Sequence, residues 1–175
     1  KFKKKLYGLA DQIEEMPGVK EQLFALKQQT DIPIYMTTGY DRHMVNLIMK
    51  KHKWLEEVLE ESFTSDDVDE GRPDAEMIYQ CMAHAKKEYP GFWLKVGDTE
   101  ADMRAANNAG HPGFPNVRVP SVLVLNGSIQ NEEKAQEVIE KIGRKSLVVP
   151  TTAEAIEYIR EETIYQKFEE LNRAA

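Results

Sequence analysis

One stretch constrains this chain more than any other. Trp93-Leu94-Lys95-Val96 is a short apolar run that stops at Gly97, and two carboxylates four residues apart, Asp98 and Asp102, follow it. The run reads as a strand, and Gly97 permits a tight turn and close approach of a ligand to the backbone. Asp98 falls at the strand's end and Asp102 one turn into the next helix. A helical turn returns to the same face after about four residues, so both carboxylates can point at one spot above the sheet edge. Two hard oxygen ligands with room left for water and a phosphate are what Mg²⁺ prefers. Alone, the pair reads equally well as a helix cap followed by an ordinary helical residue.

The rest of the chain supplies a frame for that edge. Phe2 to Glu15 reads as a helix with Phe2, Leu6, Leu9 and Ile13 on one face. Pro17 opens a second helix that runs to about Gln29. Ile32 to Met36 is a short strand ending in Thr37-Thr38-Gly39, with helices over about Arg42 to Lys51 and Trp54 to Glu60. Phe63-Thr64 is a brief strand, Pro73 to about Tyr89 a helix, and Phe92 to Val96 the next strand. After the Asp102 to Ala109 helix, His111 to Pro115 reads as loop and Val117 to Leu125 as a strand interrupted at Pro120. Asn131 to Ile142 is helical, and Leu147 to Pro150 is a last strand. Thr151 or Thr152 caps a final helix to about Glu170, with Glu154 as its capping-box partner. Strands alternating with helices imply βαβ units and a parallel sheet, whose ligands bind beyond the carboxyl ends of the strands.

Composition sets the outer limits. The 175 residues suit one domain with a real core, and 41% hydrophobic with 30% charged residues is a globular balance. The sequence shows no apolar run of membrane-spanning length and no signal-peptide pattern. A net charge of −7 with no basic stripe argues against nucleic acid, so an anionic substrate would need locally placed positive charge. Cys81 is the only cysteine, which fits a reducing, cytoplasmic setting and a core role. The four histidines show no metal-ligand spacing. The chain opens on Lys1-Phe2-Lys3 rather than Met, which reads as a piece of a longer protein.

Two further strand ends carry chemistry. Thr37 and Thr38, before Gly39, place hydroxyls and free backbone N–H groups where a phosphate oxygen can sit. Alone they read as a helix cap. Gly71-Arg72-Pro73 puts an arginine fork, suited to phosphoryl oxygens, before a proline-led helix. Alone, Arg72 reads as a surface partner of Asp66, Asp67 or Asp69.

A hydroxyl, a cation and paired acids at the ends of successive strands resemble the haloacid-dehalogenase-like phosphohydrolases. The motifs that carry the resemblance are Tyr35-Met36-Thr37-Thr38-Gly39-Tyr40-Asp41-Arg42 (second), Ser65 to Pro73 (third) and Val96 to Asp102 (fourth). The Thr-Thr-Gly-Tyr-Asp-Arg wording and Arg in Gly-Arg-Pro are similar to the phosphonoacetaldehyde hydrolase-like, or phosphonatase-like, branch. The resemblance covers roughly Pro17 to Ile159. It implies an α/β, Rossmann-like parallel sheet flanked by helices, with core residues 16–175 and residues 1–15 as the last helix of a cap or a linker.

Residue by residue, the resemblance implies that Thr38 or Thr37, with Gly39, holds the phosphoryl or phosphonyl group. Arg72 fills the third-motif cation position. Asp98 holds Mg²⁺ directly, and Asp102 directly or through water. The implied activity is Mg²⁺-dependent cleavage of a small anionic phosphonate or phosphate metabolite through an aspartyl-phosphate. The alternatives are a general small-molecule phosphatase of the same superfamily and a degenerate, non-catalytic phosphate-binding or interaction module.

Two departures stand out. The first motif, an apolar strand ending in Asp-x-Asp-Gly with the nucleophile, does not occur in the 175 residues. The inserted helical cap, with the Schiff-base lysine of phosphonatases, is also not present, and no lysine here takes that role. A core without its first strand leaves an unpaired sheet edge and apolar surface, so a homodimer, or association with the segment that supplies the strand, is expected.

Overall fold

The computed structural model describes residues 2–85, 93–111, 114–161, 163, 164, 166, 167 and 170. Its core is a parallel three-stranded sheet in the order β3 (Lys95–Gly97), β6 (Ser121–Val124), β7 (Leu147–Val149). The central strand β6 is buried along its whole length, as expected of a parallel strand covered on both faces. Its side chains alternate accordingly. Leu123 packs with Met103 of α6 (Glu100–Asn108) and with Ala135 and Val138 of α7 (Glu132–Ile142). Val122 and Val124 pack with Ala155 of α8 (Thr152–Arg160) and with Ile164.

A second, two-stranded parallel sheet joins β1 (Tyr35–Thr37) to β2 (Glu61–Phe63). Among the described residues no ladder links β1 to β3, so the parallel sheet expected from the sequence is divided in two. Side chains cross the division. Lys95 of β3 donates to the Thr37 hydroxyl of β1 at 2.8 Å, and the Tyr35 and Trp93 rings lie 6.1 Å apart.

Helices frame both parts. α5 (Glu76–His84) packs Ile78 and Met82 against Ala105, Ala106 and Trp93. The second helix, α2 (Val19–Gln29), lies against α8. Cys81 is buried, and burial pushes its thiol up to about 12, which fits the expected core role. α3 (Arg42–Lys51) follows β1, and α4 (Leu55–Val58) precedes β2.

Several local expectations are corrected, each for a visible reason. The first helix, α1, runs only over Phe2–Tyr7, and a 3-10 turn, Ala10–Gln12, follows Gly8, a poor helix residue. β1 starts at Tyr35 rather than Ile32, since Pro33 has no N–H for a ladder. α5 starts at Glu76 rather than Pro73. The Asp74 amide bonds Gly71 O at 3.1 Å and its carboxylate accepts from the Glu76 amide at 2.8 Å, which makes a turn of this segment. The loop expected over His111 to Pro115 is flanked by an antiparallel pair, β4 (Gly110–His111) and β5 (Phe114–Arg118). Pro112 and Gly113 lie outside the described residues, as do Tyr89 and Phe92 of the expected α5 end and β3 start. Thr151 caps α8, which ends at Arg160, and the Glu154 carboxylate accepts from Tyr158 instead of completing a capping box.

Residues 7–13 are tied to α3 and its N-cap. Tyr7 donates to Asp41 at 2.6 Å and its ring meets His43 edge-on at 4.4 Å. Lys51 donates to the carbonyls of Asp11 and Ile13.

A polar knot fixes the turn after β2. The Asp67 carboxylate accepts from the Thr64 amide and hydroxyl at 2.7 and 2.6 Å and from Arg42 at 2.5 Å. Arg42 also donates to the Ser62 hydroxyl and carbonyl. Burial alone would raise the Asp67 pKa. The Thr64 donors and Arg42 outweigh it and hold the carboxyl below the ordinary value of 3.8. A group whose folded pKa lies below its unfolded one adds stability above the unfolded value and loses it as pH falls toward the folded value. The urea midpoint is therefore expected to fall between about pH 5 and pH 3, and less steeply in Asp67→Asn. Equal slopes for the two proteins would count against this role.

Candidate active site

Thr37, Gly39, Arg72 and Asp102 come together at the carboxyl ends of β1 and β3, with Thr38 and Asp98 next to them in the chain and engaged by Tyr40 and Ser128. Asp102 is the hub. Its side chain is buried, and Arg72 reaches its Oδ1 at 2.5 Å while Lys95 reaches the same oxygen at 3.0 Å. The Thr99 hydroxyl donates to its Oδ2 at 2.6 Å. Burial would raise the Asp102 pKa. Lys95, Thr99 and Arg72 together outweigh it and keep the carboxyl below the ordinary range, so Asp102 is an anion at neutral pH.

Arg72 therefore pairs with Asp102 and not with the acids of its own loop, since Asp66 and Asp67 are taken by Arg42. The guanidinium also sits under the Thr37-Thr38-Gly39 turn. A Cβ at Gly39 would lie 3.1 Å from Arg72 Nη2, so this glycine lets the second and third motifs touch. Arg72 Nε is buried and has no hydrogen-bond partner among the described residues. Buried donors of this kind are normally satisfied, so an orphan at such a place points to an absent acceptor.

The two threonines are not helix caps. Asp41 caps α3 by accepting from the Met44 amide at 3.0 Å. The Thr38 hydroxyl accepts from the Tyr40 amide at 3.2 Å, and the Thr37 hydroxyl accepts from Lys95. Thr99, not Asp98, caps α6. Asp98 is thereby released from the capping role, and its Oδ2 accepts from the Ser128 amide at 2.6 Å. A Cβ on Gly127 would overlap the Asp98 side chain at 2.2–2.5 Å, so the turn after β6 is shaped around this carboxylate.

Lys95, Gly127 and Ser128 are site residues that the sequence motifs did not mark. A lysine within a strand that reads as buried is a signal for the first. Nothing local marks the other two. Among the described residues no three His, Cys, Asp or Glu side chains gather into a metal-binding group.

A family model for haloacid dehalogenase-like hydrolases matches residues 3–110. The chain belongs to that family. Within the haloacid dehalogenase-like hydrolases, it is 40% identical over 93 residues to phosphonoacetaldehyde hydrolase of Bacillus cytotoxicus, a match over 53% of this chain and 35% of that protein. The same enzyme of Bacillus cereus strain G9842 is 38% identical over the same extent. The matched stretch thus spans about a third of the length of these curated relatives. The fold is shared with solved structures. A phosphonoacetaldehyde hydrolase-like protein from Oleispira antarctica superposes with a TM-score of 0.66 at 19% identity, covering 89% of this chain and 60% of that one. A hydrolase from Pseudomonas syringae gives 0.63 at 23% identity, covering 87% and 62%.

Proposed function

We propose that these residues form the phosphoryl-holding and metal-holding part of a hydrolase that cleaves a small phosphonate or phosphate metabolite. The observation that carries this reading is Arg72. It is pinned by Asp102, pressed under the Thr37-Thr38-Gly39 turn, and left with a buried Nε that lacks an acceptor. A guanidinium with an unused N–H against the Gly39 backbone suits phosphoryl oxygens.

Mg²⁺ fits the donors in one arrangement. Asp98 offers a hard carboxylate oxygen, fixed on its other side by Ser128, and would hold the ion directly. Asp102 is already engaged by Arg72, Lys95 and Thr99, which favours the water-mediated role for it. When bound, the ion would screen the approach of an anionic nucleophile to an anionic substrate. Asp102 in turn orients Arg72, and Thr38 or Thr37 would donate to the phosphoryl group.

The nucleophile of the aspartyl-phosphate route belongs to the Asp-x-Asp-Gly strand, which is not among these residues. The division between β1 and β3 supports association with a segment that supplies such a strand. The parallel with the Bacillus relatives extends the reading to phosphonate cleavage.

Calorimetric titration tests the reading. Mg²⁺ binding is expected, and Asp98→Asn should weaken it about tenfold or more, with inorganic phosphate binding more tightly in the presence of Mg²⁺. The chain alone should not turn over a phosphate monoester. No Mg²⁺ or phosphate binding at all would overturn the assignment of the site. Robust turnover abolished by Asp98→Asn would overturn the placement of the nucleophile outside it.

A further inference from the structure

We propose that Lys95 is a positioning residue that gives the Arg72–Asp102 pair a surplus positive charge, set against the Asp98 carboxylate at the same strand end, and so lets the pair hold an anion. The inference rests on the phosphoryl-site reading and goes beyond it, because no motif of the chain marks Lys95. Arg72 and Asp102 by themselves form a neutral pair, at 2.5 Å. A neutral pair offers a substrate anion little, since the carboxylate repels what the guanidinium attracts. Lys95 brings a second cation to the same oxygen, Asp102 Oδ1, at 3.0 Å. The cluster of three then carries a surplus positive charge. Its members are shielded from water, with side-chain exposures of 22% for Arg72, 13% for Lys95 and 3% for Asp102. Charges in such a setting act more strongly than on an open surface.

The chain as a whole carries a net charge of −7, so this surplus is local and not a property of the protein's surface. Lys95 also donates to the Thr37 hydroxyl at 2.8 Å. That bond places the second-motif hydroxyl beside the Arg72–Asp102 pair across the division between β1 and β3. One ammonium group thus adds a charge to the pair and ties it to the Thr37 hydroxyl.

The test uses inorganic phosphate as the probe and the unsubstituted chain, Lys95→Met and Lys95→Arg as proteins. Calorimetry at low ionic strength should show phosphate affinity about tenfold weaker in Lys95→Met and within about threefold of the original in Lys95→Arg. The affinity of the unsubstituted chain should also fall more steeply with salt than that of Lys95→Met. A merely structural lysine would change the unfolding midpoint but leave this charge-specific rescue and salt slope unmoved. NMR of the lysine ¹⁵N-ammonium signals in the unsubstituted chain gives a measurement independent of how Lys95→Met folds. The Lys95 signal should shift as phosphate is added. Phosphate binding that is equal in all three proteins, or a Lys95 signal that does not move, overturns the inference and leaves the phosphoryl-site reading standing. No phosphate binding by the unsubstituted chain overturns both.

Discussion

Replacing Asp102 by alanine is expected to cost about 3 kcal/mol of unfolding free energy, the lower end of what removing one partner of a buried ion pair costs. The figure follows from what is left behind. Arg72 and Lys95 meet on one oxygen of a side chain that is almost wholly buried. Without it, two like charges face each other in a poorly hydrated place, and the Thr99 hydroxyl loses its acceptor. Partial exposure of the two cations keeps the cost from rising further. In a chain of this length the thermal midpoint should drop by roughly 6–12 °C. Urea unfolding at neutral pH, with an unchanged dependence on denaturant, checks it. A loss below about 1 kcal/mol would mean that the cations are held by something other than Asp102.

Gly97→Ala should be nearly as damaging, for a steric reason. A Cβ at this position would stand 2.4 Å from Asp102 Cβ and 2.6 Å from its Cγ. The atoms in the way belong to the root of a side chain on the first turn of α6, so the helix or β3 has to move. Overpacking of this kind costs about 1–3 kcal/mol, and the displaced carboxylate would also loosen its grip on Arg72 and Lys95. Gly71→Ala is the matching control. It lies in the same loop as Arg72, and nothing stands within 4 Å of its Cβ position. Its change should stay within about 0.5 kcal/mol. Similar unfolding midpoints for the two variants would show that β3 and α6 can part without penalty.

Much of this architecture was legible because it is written locally. The alternation of apolar strands and amphipathic helices gave the α/β class, and α3 runs over Arg42–Lys51 as its periodicity says. The second, third and fourth motifs converge because each closes a strand. What escaped was tertiary. Lys95 looks like one residue of a short strand until Thr37, 58 positions earlier, is placed beside it. Ser128 meets Asp98 across 30 positions, and no spacing rule reaches that far. The cap of α8 falls on Thr151 as expected, but those of α6 and α3 lie one to a few residues beyond the Asp98 and Thr37-Thr38 positions that read as caps. Thr99 and Asp41 take the role because the chain runs on past each strand before its helix begins, for two residues after Gly97 and four after Thr37. The pair β4–β5 was hidden by Pro112, Gly113 and Pro115, residues whose usual reading is loop.

The division between β1 and β3 has an energetic consequence. With no ladder joining the two sheets among the described residues, contacts such as Lys95 to Thr37 and Tyr35 to Trp93 hold them in register. Any ligand gripped by Thr37 or Thr38 on one side and by Asp98 on the other would span that boundary. Occupancy and cohesion then become one linked equilibrium. A ligand present at about a hundred times its dissociation constant would add roughly 2.7 kcal/mol to the association of the two halves. The same linkage runs in reverse, so whatever draws β1 and β3 together would tighten the site for its ligand.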